Sequence, residues 1–353
     1  MTENTMTSMQ RVLTTLGHQE PDRVPLFLLL TMHGAQELGI SIKDYFSNPE
    51  HVAEGQMRLL EKYRHDCIYS FFYAPIEVEA FGADVLYVED GPPNSSLPLI
   101  RKHDDIKRLK PPNAKESPCL IKVYEATRMI KSKVENEVPI IGVVMSPFSL
   151  PVMQMGFDKY IDLLYEQPDL FQQLMAVNED FCVQWANAQL EAGATAICYF
   201  DPVSSPTIIP REMYLKTGFE VAKRTISQIK GPTATHMASG FTLSILDDVA
   251  QTGTAVIGSS TQEDLSALKA ASQGKLTILG NLNGIEMRRW TEDQAEAAVR
   301  EAIAKAGPGG GFILSDNHGE IPWQVPENVL AAISNAVRKW GQYPLDWIED
   351  YGK

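Results

Sequence analysis

Apolar, β-prone runs punctuate the chain, and stretches of helical periodicity separate them. The runs are RVPLFLLL (23–30), CIYSFFY (67–73), VPIIGVVM (138–145), ATAICYF (194–200), PTATHMA (232–238), TAVIGSS (254–260), LTILGNL (276–282) and GGFILSD (310–316). Most are apolar at successive rather than alternate positions, as strands are when both faces are covered. The stretches 158–193, 242–253 and 292–307 instead carry apolar residues every three or four positions and end at glycine, as helices do. Strands that alternate with helices in this way predict an α/β fold, a (β/α)8 TIM barrel.

Two segments stand outside the repeat. A helix near Met6 to Leu16, followed by the turn EPD, makes 1–22 an N-terminal helical extension. The stretch 74–118, rich in Pro, Gly and Asp, predicts an extra hairpin or lid inserted after the second strand. Neither a linker nor a short-period repeat interrupts the rest, so 1–353 is expected to form a single barrel domain.

Composition narrows the partners. At 353 residues and 44% hydrophobic content, the chain can bury the core of one generous barrel. Lys plus Arg is 31 against 45 Asp plus Glu, and the formal charge of -14 argues against nucleic acid or an anionic membrane as the main partner. The N-terminus lacks the apolar core of a signal peptide and no run is long enough to cross a bilayer, so a cytoplasmic protein is expected. Cys67, Cys119, Cys182 and Cys198 lie far apart without a CxxC pair, which fits reduced, structural thiols.

Barrel enzymes carry their active sites at the C-terminal ends of the strands. Those ends offer His33, Tyr73, Ser146, Asp201, His236, Asn281 and the run Asp316-Asn317-His318. The other histidines, His18, His51, His65 and His103, fall in turns or helices and are expected to be solvated. Asp201 can equally be a turn acid, since Pro202 follows it. Met32, Phe72, Tyr73, Met145, Phe148, Tyr199 and Phe200 lie near strand ends where they could accommodate a ring. The glycines of GPGGG (307–311) open a strand rather than a helix, so a phosphate-binding loop is not supported.

Taken in order, HQEPDRVPL (18–26), GVVMSPFSLPVMQMGFDKYIDLLYEQPDL (142–170), GATAICYFDPVSS (193–205), THMASG (235–240), GNLNG (280–284) and GGGFILSDNHGEIPWQVPENVLAAI (309–333) resemble the uroporphyrinogen decarboxylase superfamily. They are most similar to its branch of methylcobamide:coenzyme M methyltransferases and corrinoid-dependent demethylating methyltransferases. In the thiol methyltransferases of that branch, zinc is held by a His-x-Cys pair after the fifth strand and a Cys after the eighth. Here His236 matches the histidine, Ala238 replaces the first cysteine, and His318 stands where the last would be. The resemblance therefore implies zinc on His236, His318 and a carboxylate, with Glu77 and Asp201 as first choices and Glu79 or Asp316 as alternatives. Asp316 could also orient His318 from behind.

The departures from the family shape the expected chemistry. No arginine follows the first strand to grip substrate carboxylates, which argues against uroporphyrinogen as substrate. Nitrogen and oxygen donors leave zinc a stronger Lewis acid than thiolates do, which favours an ether oxygen as leaving group. The expectation is a zinc-dependent transfer of methyl from an O-methylated, most readily aromatic, small molecule to cobalt(I). Tyr73, Ser146 or Asn281 would position the oxygen. In the corrinoid signature DxHxxG, Asp316 and His318 match but Ile321 replaces the glycine, so the corrinoid is expected on a separate protein. A homodimer is compatible with all of this. Alternatives are methyl transfer from a corrinoid to a thiol, a metal-free decarboxylase or lyase with Asp201 as acid–base group, and a non-enzymatic binding protein.

Overall fold

The computed structural model describes residues 6–351. Residues 1–5 of the predicted extension and the last two residues of the predicted domain lie outside them. In chain order the strands are β1 (Ile68–Tyr69), β2 (Val85–Leu86), β3 (Asn94–Ser95), β4 (Ile140–Met145), β5 (Ala196–Phe200), β6 (Thr233–His236), β7 (Val256–Gly258), β8 (Thr277–Leu282) and β9 (Phe312–Asp316). Seven of them pair in parallel as one curled sheet, β1-β4-β5-β6-β7-β8-β9, and β2 pairs antiparallel with β3. That small hairpin lies within the predicted 74–118 insertion.

Helices Pro118–Val134, Pro168–Ala192, Gly218–Ile226, Leu246–Ala250, Leu265–Ser272, Glu292–Ala306 and Glu327–Trp340 follow the seven parallel strands in turn. Local signals set their limits. Proline opens the first two, where its missing N–H costs nothing. Thr291 and Gln294 form a reciprocal cap on the helix before β9. Gly193, at φ 119°, ends the long helix in a left-handed conformation.

The first predicted strand is the main departure. Residues 24–30 do occupy the gap between β9 and β1, but they make a single parallel bridge, Leu26 to Leu314, rather than a strand. Phe27 N–H donates to Leu314 O (2.8 Å), Leu314 N–H to Pro25 O (2.9 Å), and Asp66 N–H to Leu26 O (2.6 Å). Pro25 has no N–H to extend the ladder. Leu30 N–H turns back onto Leu28 O (2.9 Å), a tight turn that ends the extended run. The ring is thus TIM-barrel-like, with seven regular strands and an irregular eighth segment.

Period-two alternation sorts the strand residues. Ile197 and Tyr199 of β5 pack outward against helices, whereas Cys198 and Phe200 face the axis. Phe27, Leu29, Tyr69, Val143, Leu279 and Ile313 join them inside. The predicted N-terminal helix, Ser8–Leu16, sends Val12 and Leu16 into the same cluster from the N-terminal end of the barrel.

That end is held by one carboxylate. Asp66, fully buried just before β1, meets Arg11 Nη1 (2.6 Å) from the N-terminal helix and Arg23 Nη1 (2.7 Å) from the irregular segment. It also accepts Leu26 N–H (2.8 Å). Burial alone would raise its pKa, but Arg23 and Arg11 outweigh burial and hold it below the ordinary aspartate value.

Replacing Asp66 by Asn should cost about 3–5 kcal/mol, because the buried Arg23 guanidinium would then lack its counter-charge and Arg11 would keep only Asp22. Urea unfolding measures this, and a loss under about 1 kcal/mol would remove the role given to Asp66. The depressed pKa sets the sign of the acid response. The wild-type contribution is complete above about pH 3.9, the unfolded value, and disappears as the pH falls through the lower folded value.

Candidate active site

The C-terminal ends of β4 and β5 and the segments that follow β1 and β9 enclose a cavity at the C-terminal edge of the sheet. Its volume is about 100 Å³. Tyr69, Phe71, Val143, Met145 and Phe200 make it apolar, while Glu77, His318 and Glu320 supply its ionisable groups. Among the described residues no Lys or Arg lines it.

Glu77 enters on the short helix Ile76–Ala80 at the start of the insertion. Only 3% exposed, it accepts Met145 N–H (2.8 Å) and Trp185 Nε1–H (3.1 Å) on Oε1, and Oε2 has no hydrogen-bond partner. Burial pushes its pKa up to about 8, against the smaller opposing pull of those two donors. Burial likewise raises Glu320 to about 8, with the Asp316 charge adding to it, and Asp316 itself to about 7. Glu320 accepts the Thr31 hydroxyl. Asp316 Oδ2 accepts the N–H groups of His318 (2.8 Å) and Gly319 (3.2 Å), which shapes the turn after β9, and Oδ1 is unpartnered. At neutral pH Glu77 and Glu320 therefore stand mainly as neutral carboxyl groups, and Asp316 is near its midpoint.

His236 closes β6. Its buried ring lies against Phe200, with centroids 5.6 Å apart and planes at 30°. Gly258 allows this placement, since a Cβ there would sit 2.7 Å from the imidazole Cδ2. Burial, and then His318, lowers the His236 pKa to about 4, so the ring is neutral. Nδ1 accepts the Ala238 N–H (3.0 Å), which leaves the ring proton on Nε2, an atom that is buried without a partner. His318, at the cavity, is also lowered by burial, and its Nδ1 is buried and unpartnered. Gly319, at φ 89°, keeps that loop tight, because a Cβ there would meet Phe200 Cε2 at 2.7 Å.

Of the residues expected from the sequence, Glu77 and His318 share this cavity and His236 lies behind its Phe200 wall. Four others point elsewhere. Tyr73 donates its hydroxyl to Glu79 Oε2 (2.6 Å) inside an aromatic cluster with Phe46 and Tyr87. Ser146 Oγ (2.5 Å) and Ser149 Oγ (2.7 Å) both donate to Asp201 Oδ1, so that buried acid and its serine form a structural knot. Burial raises the Asp201 pKa, and the hydroxyls of Ser146, Ser204 and Ser149 pull it back in part. Asn281 donates to Ser260 O (3.0 Å) and lines a different cleft, beside Trp290 and Lys305. His65 is buried rather than solvated, and burial lowers its pKa to about 4. Of the aromatic and methionine residues near strand ends, Met145 and Phe200 line the cavity, whereas Phe72, Phe148 and Tyr199 are core. Sequence reasoning missed Glu320. Its signal was a second acid in DNHGEIPW, two residues past His318.

The donor set can be tested against zinc. His318 Nδ1 and Glu77 Oε2 are free to bind an ion, but His236 would ligate through Nε2 only after moving its proton to Nδ1, where the Ala238 N–H already points. A zinc-bound imidazole normally donates from its other nitrogen instead of accepting there. Among the described residues no three of His, Cys, Asp and Glu converge to hold a metal ion. As placed, His236, His318 and Glu77 do not form a zinc site.

The chain matches the family Uroporphyrinogen decarboxylase (URO-D) over residues 7–340. It is 27% identical to the uroporphyrinogen decarboxylase of Magnetococcus marinus, with 95% of this chain and 98% of that protein covered. Identity to the Methylococcus capsulatus enzyme is also 27%, over 91% of this chain and 95% of the other. Among solved structures, a methyltransferase from Methanosarcina mazei superposes with a TM-score of 0.85 at 21% identity, covering 95% of this chain and 99% of that one. At that identity the likeness is one of fold. No helix among the described residues is long and apolar enough to cross a membrane.

The raised pKa of Glu77 gives a stability prediction of opposite sign to that of Asp66. The folded protein keeps the Glu77 proton while the unfolded chain loses it near pH 4.5, so this group lowers stability progressively from about pH 4.5 to about pH 8. Glu77→Gln, which mimics the neutral carboxyl, should remove a penalty on the order of 3 kcal/mol at pH 8 and change little at pH 4. Urea midpoints at the two pH values measure it. Equal effects at both would mean that Glu77 is ionised in the folded protein.

Proposed function

This chain belongs to the uroporphyrinogen decarboxylase family, and we propose that its reaction within that family is methyl transfer from a small O-methylated molecule. The observation that carries this reading is Glu77 Oε2, a neutral carboxyl oxygen without a partner in a largely apolar cavity. Such a group is a proton donor to a leaving oxygen. As the methyl–oxygen bond breaks, Oε2–H protonates the departing oxygen and the methyl group passes to an incoming nucleophile. The products are a hydroxyl compound, the methylated nucleophile and the Glu77 carboxylate. That charge stays on a carboxylate whose Oε1 already accepts Met145 N–H and Trp185 Nε1–H.

The remaining groups have definable parts. Neutral His318 offers Nδ1 to the freed hydroxyl. Glu320, held by Thr31, is a second proton donor in the same wall. Tyr69, Phe71, Met145 and Phe200 exclude water and so keep the carboxyls neutral. The nucleophile proposed from the family resemblance is the cobalt of a corrinoid protein that reaches the cavity mouth. Decarboxylation of a polycarboxylate is less well supported, because among the described residues no cation lines the cavity to hold its anionic groups. No step is assigned to a metal, since the donors do not converge.

An assay of an aryl methyl ether with cob(I)alamin should form phenol and methylcobalamin. Glu77→Gln should lower kcat about 100-fold, the range for loss of a general acid, with little change in KM. Glu320→Gln should have a smaller effect. Activity of Glu77→Gln near that of wild type would refute the proton-donor role. Metal analysis tests the zinc expectation. Stoichiometric zinc that is lost in both His236→Ala and His318→Ala would mean that the donors regroup around an ion, and would return the reaction to Lewis-acid chemistry.

A further inference from the structure

Below the Glu77 cavity the barrel axis is hollow. The inward positions of a TM barrel are ordinarily filled by layers of bulky branched side chains. Here β5 presents Ala196 and Cys198 and β6 presents Ala234, and a cavity of about 100 Å³ remains between them and Ile141, Leu279 and Ile313. This is the size order of apolar cavities that stay dry and take up benzene or xenon. Its floor is the N-terminal helix, through Met9, Val12 and Leu16. Leu13 also lines it while 57% exposed, which marks where the cavity comes near the surface.

Two residues of its lining carry buried polar atoms without a partner, Thr233 (Oγ1) at the start of β6 and His236 at its end, and the imidazole is the one beside the active-site end. His236 lines it, and His236 Nε2 is buried without a hydrogen-bond partner. Because Nδ1 accepts the Ala238 N–H, Nε2 bears the ring proton and is a donor. Tyr69 borders both this cavity and the one that holds Glu77.

We propose that the barrel axis is a binding site for a neutral, one-ring aromatic molecule whose single oxygen accepts the His236 Nε2–H. Apolar walls select against charged molecules, since a charge buried there would go unpaired. A phenol or an aryl methyl ether satisfies both demands, with the ring in the axis and the oxygen at the Tyr69 boundary below Glu77. Its part as the seat of the substrate ring rests on the methyl-transfer reading. The binding site itself does not.

Benzene, phenol and anisole are to be titrated into the purified protein by calorimetry and by thermal unfolding. All three should bind saturably and raise Tm. Phenol and anisole should bind about fivefold tighter than benzene, as one net hydrogen bond allows. Ala234→Leu, and the milder Ala196→Val if the first fails to fold, should weaken all three at least about tenfold by filling the space. His236→Phe should keep benzene binding and lose the preference for the oxygenated ligands. Absence of saturable binding to wild type, or unchanged binding in a folded filled variant, would overturn the site. Retention of the preference in His236→Phe would overturn the hydrogen bond. Anisole that binds here but is never demethylated would refute the methyl-transfer reading and leave this site standing.

Discussion

The buried carboxylate of Asp66 is the constraint on which the barrel closes. Where other strand pairs share a ladder of backbone hydrogen bonds, the segment 24–30 has one bridge to β9 and a few isolated bonds. Asp66 replaces the missing ladder with charge. It draws Arg11 of the N-terminal helix, Arg23 and the Leu26 N–H to one point at the start of β1. This arrangement is stable because the two guanidinium groups and the backbone donor together satisfy the carboxylate. The same network holds the N-terminal helix beneath the axial cavity, so barrel closure and the floor of that cavity have a common cause.

At the opposite end, burial without counter-charge does the reverse. Asp66 lies among arginines and is held ionised, whereas Glu77, Glu320 and Asp316 lie among aromatic rings and backbone and are driven towards the neutral acid. His236 and His318 are kept neutral by the same desolvation. One residue class thus stands as an ionised anchor at one end and as a neutral acid at the other. Environment alone separates the roles.

The substitution of Ala238 and His318 for the cysteines that the family resemblance leads one to expect fits this picture. The Ala238 N–H donates to His236 Nδ1, which places the ring proton on Nε2. In that tautomer the histidine, which lines the axial cavity, is a hydrogen-bond donor. Two cavities share Tyr69 in their walls, the lower one apolar and the upper one bearing the carboxyl groups. A molecule with an aromatic body and one oxygen matches that gradient along its length.

The sequence by itself carried the alternation of strands and helices, and seven of the eight expected strands appear inside or at the bounds of their runs. Local periodicity suffices for that, because each element records its own buried face. The family was legible for a similar reason, since its motifs are contiguous and ordered. The histidines and Glu77 could be placed near the active end from strand position alone. Their partners could not. Tyr73, Ser146, Asp201 and Asn281 also follow strands, yet Glu79, the Ser146–Ser149 pair and Ser260 capture them in the folded chain. Those partners come from other turns, loops and helices, and a linear pattern does not encode which side chains meet. Nor could the sequence show that the first run, interrupted by Pro25 and the turn at Leu30, would close the ring through Asp66. Which carboxyls are neutral, which imidazole nitrogen holds the proton and where the barrel is hollow all depend on desolvation and packing in three dimensions, and only the tertiary structure decides them.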